Sequence, residues 1–152
     1  MPRMIFVNLP VTDLGRSIAF YRALGAEQNL QFSDETGAMM SFSAEINVMV
    51  LTRDKYSQFT AKPIADAHGS SQVLLCLSCE SRDEVDSTVD RAAAAGGRAD
   101  PAPKQEFSFM YGRSFEDPDG HHWELAWMDM AALGSQHAGE AAAEPADQPS
   151  AA

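Results

Sequence analysis

The hydrophobic pattern of the chain changes from strand-like to helix-like and back. Residues 4–11 are apolar and rich in β-formers, whereas 12–25 carries apolar side chains at helical spacing, at Leu14, Ile18, Tyr21 and Leu24. Thr12 and Asp13 predict the N-terminal cap of this helix, and Gly25 predicts its end. Shorter β-rich stretches separated by turn-forming residues predict three more strands, at 26–33, 37–44 and 46–53.

The same pattern then restarts. A strand is predicted at 71–79 and a helix at 80–97, where Ser81 and Glu84 have the spacing of a capping box. The last three predicted strands are 97–101, 106–115 and 121–128, with DPDG as the turn before the final one. The two helices superpose at an offset of 71 residues, which brings Gly25 onto Gly96. This internal duplication predicts two βαβββ modules that combine because neither can bury its own sheet faces.

These boundaries predict one domain, 1–130, of the α+β class. Module one covers 3–53, a polar linker covers 54–70, and module two covers 71–128. The final segment, 131–152, consists mainly of Ala, Gly, Pro, Gln, Ser and acidic residues, and its composition predicts a disordered tail.

Charge and composition narrow the class of function. The formal net charge of -11 disfavours binding to a phosphate backbone, which needs clustered Lys and Arg. No run of about 18 apolar residues predicts a membrane span, and the N-terminus lacks the pattern of a signal peptide, so a cytoplasmic location is expected. Cys76 and Cys79 lie on a predicted strand, roughly 10 Å apart and on opposite faces, which disfavours a disulfide, a redox pair or a zinc site.

Two motifs in this order give a family resemblance. V-x-D-L-x-R-S-x-x-F-Y runs from Val11 to Tyr21, and D-P-D-G-x-x-x-E-L runs from Asp117 to Leu125. Together with the doubled βαβββ pattern, they resemble the vicinal oxygen chelate superfamily of glyoxalases, bleomycin-resistance proteins and extradiol dioxygenases. The branch labelled "predicted lactoylglutathione lyase" looks most similar. The resemblance implies a curved sheet around a small-molecule cavity, and often a homodimer.

The resemblance also implies a divalent metal ion, bound by His, Glu or Gln from the first and last strands of each module. Of the four corresponding positions, only Glu124 carries a metal-binding side chain; the others are Phe6, Val50 and Leu74. A shift of one residue gives Met49 or Val73, and a shift of two gives Gln72. We therefore expect no metal and no other cofactor. A metal-dependent lactoylglutathione lyase or extradiol dioxygenase remains the alternative.

Strand alternation predicts which side chains face the cavity once Glu124 is taken to point inward. The expected ligand-binding residues are Phe6, Asn8, Val50, Leu74, Tyr111, Arg113 and His122. Glu124 is the candidate catalytic residue, as a general acid or base; the competing interpretation is a structural carboxylate held by Tyr111 or Arg113. Arg113 could instead form an ion pair with Glu116 or Asp117. The expected function is ligand binding or metal-independent chemistry.

Overall fold

The structure is a computed structural model that describes residues 1–132 and 134. Module one contains β1 (Ile5–Val11), α1 (Leu14–Ala23), β2 (Glu27–Asp34), β3 (Gly37–Ser41) and β4 (Ile46–Thr52). Its strands form one sheet in the order β1-β4-β3-β2, with β1 parallel to β4. Helix α1 begins where predicted, because the Asp13 side chain accepts a hydrogen bond from the Arg16 backbone N–H.

A short helix, α2 (Arg53–Ser57), and an irregular linker lead to module two. Module two contains β5 (Leu75–Ser78), α3 (Arg82–Ala94), β6 (Arg98–Ala99), β7 (Gln105–Phe107), β8 (Met110–Glu116) and β9 (His122–Met128). The order β5-β9-β8-β6 matches that of module one, and β5 is again parallel to β9. The Ser81 side chain caps α3 by accepting from the Glu84 backbone N–H, as the capping box predicts. The expected α+β fold of two βαβββ modules is confirmed.

Two elements differ from the sequence prediction. The strand predicted at 106–115 is a hairpin, in which β7 pairs antiparallel with β8 and only two residues connect them. No Gly, Pro, Asn or Asp marks this turn, so the sequence carried no signal for it. Strand β5 also begins four residues later than predicted, since its pairing with β9 starts at Leu75 opposite Trp123.

The modules share one hydrophobic core on the side of the two helices. Phe20 of α1 packs against Phe115 of β8 with ring centroids 5.9 Å apart, and Tyr21 packs against Trp123 at 6.0 Å. All four side chains are at most 2% exposed. The opposite face of both sheets, which we call the helix-free face, carries the candidate site.

The two sequence motifs meet between the modules. Asp119 accepts hydrogen bonds from the Thr12 hydroxyl (2.8 Å) and backbone N–H (3.0 Å), and buried Asp117 accepts one from the Tyr21 hydroxyl (2.7 Å). Burial raises the pKa of Asp117, although the interaction with His121 and hydrogen bonds from the Tyr21 hydroxyl and two backbone N–H groups oppose the shift. Gly120 closes the turn with φ of 87°. The residue spacing within the two motifs therefore places side chains that form hydrogen bonds between the modules.

No described helix is long and apolar enough to cross a membrane. The predicted disordered tail lies almost wholly outside the described residues, since 133 and 135–152 are not described.

Candidate functional site

Glu124 lies on the helix-free face of the second sheet, the orientation that was assumed in assigning the other cavity-facing residues. Trp123 and Leu125 on either side of it are each 2% exposed and belong to the shared core. The strand register places Glu124 beside Cys76 of β5 and Ser114 of β8. Ser114 is already engaged, because its hydroxyl accepts a hydrogen bond from the Ala102 backbone N–H.

The Glu124 carboxylate forms no hydrogen bond or ion pair with another described residue. The pKa of the adjacent Cys76 thiol is raised, mainly by burial and also by the negative charge of Glu124. A thiol with a raised pKa is a poor nucleophile near neutral pH. The group available for chemistry here is therefore the Glu124 carboxylate, which has no partner among the described residues.

The placement expected for Tyr111 and Arg113 in the cavity is wrong. Arg113 is in register with Leu125 and Tyr111 with Trp127, so both point toward α3, away from Glu124. Arg113 donates to Asp100 (2.7 and 3.0 Å) and to Asp86 (2.9 Å). Glu124 faces the opposite side of the sheet from both residues, so neither of them can form a hydrogen bond with its carboxylate.

These contacts form a partly buried polar cluster under α3. The Tyr111 hydroxyl donates to Asp86 (2.6 Å), and burial together with this bond raises the pKa of Tyr111 to about 12. Hydrogen bonding to Asp100 holds the pKa of Arg113 above its usual value. The expected ion pair of Arg113 with Glu116 or Asp117 is likewise wrong: the acids come from α3 and from Asp100 after β6.

In module one, Phe6 and Asn8 lie on the helix-free face, but Val50 does not. Val50 is fully buried in the core beside Leu9, its register partner. Met49 occupies the helix-free face instead, in register with Asn8. The run Val48–Leu51 is apolar on both sides of the strand, so the sequence could not fix its phase.

A pocket of about 450 Å³ lies between the modules, under the linker; we call it the linker pocket. It is lined by β1, by residues 64–73 of the linker, and by the start of β9. Asn8 and His122, two of the predicted ligand-binding residues, are brought together here from different modules. Phe6, Leu74 and Glu124 do not line it; Glu124 is two residues beyond His122 on the same face of β9.

The polar lining of the linker pocket includes three histidines. His68, His121 and His122 all contribute to it. The His121 ring Nε2 lies 2.8 Å from the Pro10 carbonyl oxygen and joins the modules. In contrast, Nε2 of His122 is buried and has no hydrogen-bond partner among the described residues. A buried polar atom without a partner is costly, so a ligand group that formed a hydrogen bond with this nitrogen would be favoured.

Sequence reasoning missed part of this pocket. Glu116, Tyr56 and Ile64 line it, but none of them was predicted as a site residue. The large apolar side chains of the linker, Tyr56, Phe59 and Ile64, gave a signal that did not single out the pocket, because Phe59 is 70% exposed and does not line it.

Comparison with known proteins identifies the family. The family model of the Glyoxalase/Bleomycin resistance protein/Dioxygenase superfamily matches residues 3–125. The chain belongs to this superfamily. No curated protein matches the chain.

Several solved structures share the fold. A hypothetical protein from S. aureus aligns with a TM-score of 0.69 at 24% identity, over 84% of this chain and 94% of that one. A family enzyme from Burkholderia phytofirmans PsJN gives 0.67 at 18% identity, over 84% and 99%. A fosfomycin resistance protein, FosX, from Listeria monocytogenes gives 0.61 at 20% identity, over 84% and 91%.

The metal positions of the superfamily can be tested against the side chains present. The position on β4 corresponds to Met49 rather than Val50, since only Met49 lies on the helix-free face. Phe6, Met49 and Leu74 supply two hydrocarbons and a thioether, leaving Glu124 as the single oxygen donor. Among the described residues, no group of three or more His, Cys, Asp or Glu side chains is placed to hold an ion. This donor set does not fit a hard or borderline divalent cation.

Proposed function

We propose that this superfamily member binds a small organic molecule in the linker pocket, without a metal ion at the four superfamily positions. The observation that supports it most directly is that Asn8 and His122, from different modules, line one pocket of about 450 Å³. This volume lies within the range of about 300–1,000 Å³ typical of small-molecule sites. The lining combines aliphatic side chains with a few polar atoms, as such sites do.

Binding is tested by titrating a fragment library into ¹⁵N-labelled protein and following the backbone amide signals. We expect fragments to shift the amides of Asn8, His122 and residues 64–73 together, because these segments surround the pocket. A fragment that shifted only signals from the far edge of the first sheet, such as Leu30 and Phe32, would contradict the proposed site. Both of those side chains are exposed and distant from the lining.

The metal-free part of the proposal has its own test. Protein purified without chelator is expected to contain well below one equivalent of Ni, Zn, Fe or Mn, because one carboxylate is too few donors. Stoichiometric metal that is lost in Glu124→Gln would contradict it. That result would support the alternative, a metal-dependent lactoylglutathione lyase or dioxygenase.

Metal-independent acid–base chemistry at Glu124 is a second candidate. It is favoured by the absence of any partner for that carboxylate among the described residues, and by its position two residues from His122. The test is turnover of a glutathione hemithioacetal, the substrate type of a lactoylglutathione lyase. Turnover in metal-free buffer that disappears in Glu124→Gln supports it, whereas turnover only after adding a divalent ion supports the metal-dependent alternative.

We also propose a homodimer. The outer strands β1 and β5 each leave one edge unpaired, and apolar side chains near both are exposed, including Phe6 (46%) and Leu74 (54%). Exposed apolar groups beside open strand edges are typical of surfaces that associate. Light scattering should give twice the chain mass of 16.5 kDa; a monomer at all concentrations would contradict this.

A further inference from the structure

We infer that the ligand of the linker pocket is a small amine, with an apolar or aromatic body and one protonated amino group. This inference rests on the proposed function and adds the chemical class of the ligand. It depends on three features of the lining: its charge, the unpartnered nitrogen of His122, and the character of the remaining side chains.

The pocket presents a negative charge and no permanent positive one. Glu116 lines it, and none of the described residues that line it is Lys or Arg. The Glu116 side chain is 19% exposed, and its one cationic neighbour, Arg98, is 3.9 Å away and 69% exposed. An exposed pair at this distance contributes little, so the Glu116 carboxylate remains able to bind a cation.

Hydrogen bonding points to the same class of ligand. Glu116 and His122 are register partners on neighbouring strands, so their side chains share the helix-free face. An ammonium group has three donors and no acceptor. The Glu116 carboxylate can accept one hydrogen bond, and the buried Nε2 of His122, in the ring tautomer that leaves this atom unprotonated, can accept another. A carboxylate ligand would instead face Glu116 without a compensating cation.

The rest of the lining suits the body of such a ligand. Ile64, Val73 and Leu75 are aliphatic, and Tyr56 offers an aromatic ring that can contact a cation or stack on another ring. Arg16 and Arg53 line a neighbouring cavity of about 290 Å³ and do not line the linker pocket itself. Arg16 is hydrogen-bonded to the Thr12 hydroxyl (3.0 Å) and lies 3.9 Å from the Asp119 carboxylate.

Three probes of similar size separate the possibilities: benzylamine, benzyl alcohol and benzoate. Their dissociation constants are measured by NMR titration of the full chain at neutral pH. We expect benzylamine to bind most tightly, benzyl alcohol next and benzoate most weakly. If benzoate binds most tightly, the inference is wrong while the proposed pocket stands. If none of the three shifts the pocket amides, both fail.

Two variants test the residues named. Glu116→Gln should weaken benzylamine about tenfold and leave benzyl alcohol nearly unchanged, because only the amine loses a charge partner. The matched control is Glu106→Gln, a carboxylate 73% exposed on β7 that does not line the pocket. His122→Phe should weaken both probes, and His122→Gln should restore part of the affinity because its amide oxygen also accepts. Equal losses in Glu116→Gln and Glu106→Gln would overturn the inference.

Discussion

The two faces of the β8–β9 pair carry similar residue types, but they differ in whether the polar groups already have hydrogen-bonding partners. On the side facing α3, Arg113 and Tyr111 are buried and every strong polar group of their cluster has a partner. On the helix-free side, Glu124 has no partner among the described residues and Nε2 of His122 is buried without one. The first arrangement stabilises the fold, while the second leaves hydrogen-bonding capacity for something else.

This contrast shows why residue type alone is a poor guide to a site. Tyr, Arg, Glu and His can all bind ligands or take part in catalysis, and all four occur within residues 111–124. Neighbouring positions on one strand face opposite sides, so a shift of one residue separates a structural ion pair from a free carboxylate. Whether each polar group already has a partner is what distinguishes the two faces.

The largest effect should come from the paired face. Arg113→Met should lower the free energy of unfolding by about 2 kcal/mol, because it leaves Asp86 and Asp100 without their cation. A fully buried pair would lose more, but Asp86 is 47% and Asp100 31% exposed, so water recovers part of the loss. Urea denaturation monitored by tryptophan fluorescence measures the change.

Arg98→Met provides the control for this substitution. Arg98 is 69% exposed and makes one ion pair at 3.9 Å, so its loss should change the unfolding free energy by less than about 0.5 kcal/mol. Equal destabilisation by the two variants would mean that the cluster under α3 is not what stabilises this face.

How far the sequence predicts this molecule depends on the local pattern. The helices and most strands follow from apolar periodicity, caps and glycines, and the duplication fixes the module order. Strand β9 has alternating polar and apolar side chains, so the orientation assumed for Glu124 also set that of His122, and both lie on the helix-free face. Strand β4 lacks that alternation, and its phase was missed at Val50.

Contacts between distant segments were the harder part of the prediction. Asp86 and Asp100 lie on α3 and after β6, and no local pattern in the sequence pairs them with Arg113. The linker pocket depends on how residues 64–73 fold back against β1 and β9, which again is a property of the tertiary structure. Sequence reasoning could name Asn8 and His122, but not the segment that covers them.

A pH dependence of intermediate size should also separate the two faces. Hydrogen bonds from Tyr111 and Arg113 lower the pKa of Asp86, and those from Arg113 lower the pKa of Asp100. Such a contribution is complete above the unfolded pKa, about 3.9, and is lost as pH falls through the folded value. The stability advantage of the wild type over Arg113→Met should therefore be constant near neutral pH and shrink as the pH falls below about 5.

The comparison with Arg113→Met is needed because Asp117 acts in the opposite sense. Burial raises the pKa of Asp117, so its contribution is present at low pH and is lost as pH rises through the folded pKa. Asp117 is present in both proteins and drops out of their difference. Urea midpoints measured for both at each pH give that difference; an advantage that grew on acidification would contradict the assignment.

The smallest effect is expected on the helix-free face, and it is the most informative about function. Glu124→Gln removes no hydrogen bond or ion pair to a described residue, so the unfolding free energy should change by less than about 0.5 kcal/mol. Asp100→Asn, the matched loss of charge on the paired face, should cost about 1 kcal/mol or more because Arg113 donates to both of its oxygens. If Glu124→Gln destabilised the protein as much as Asp100→Asn, Glu124 would be a structural carboxylate. In that case the second candidate function, acid–base chemistry at this residue, would lose the observation that favours it.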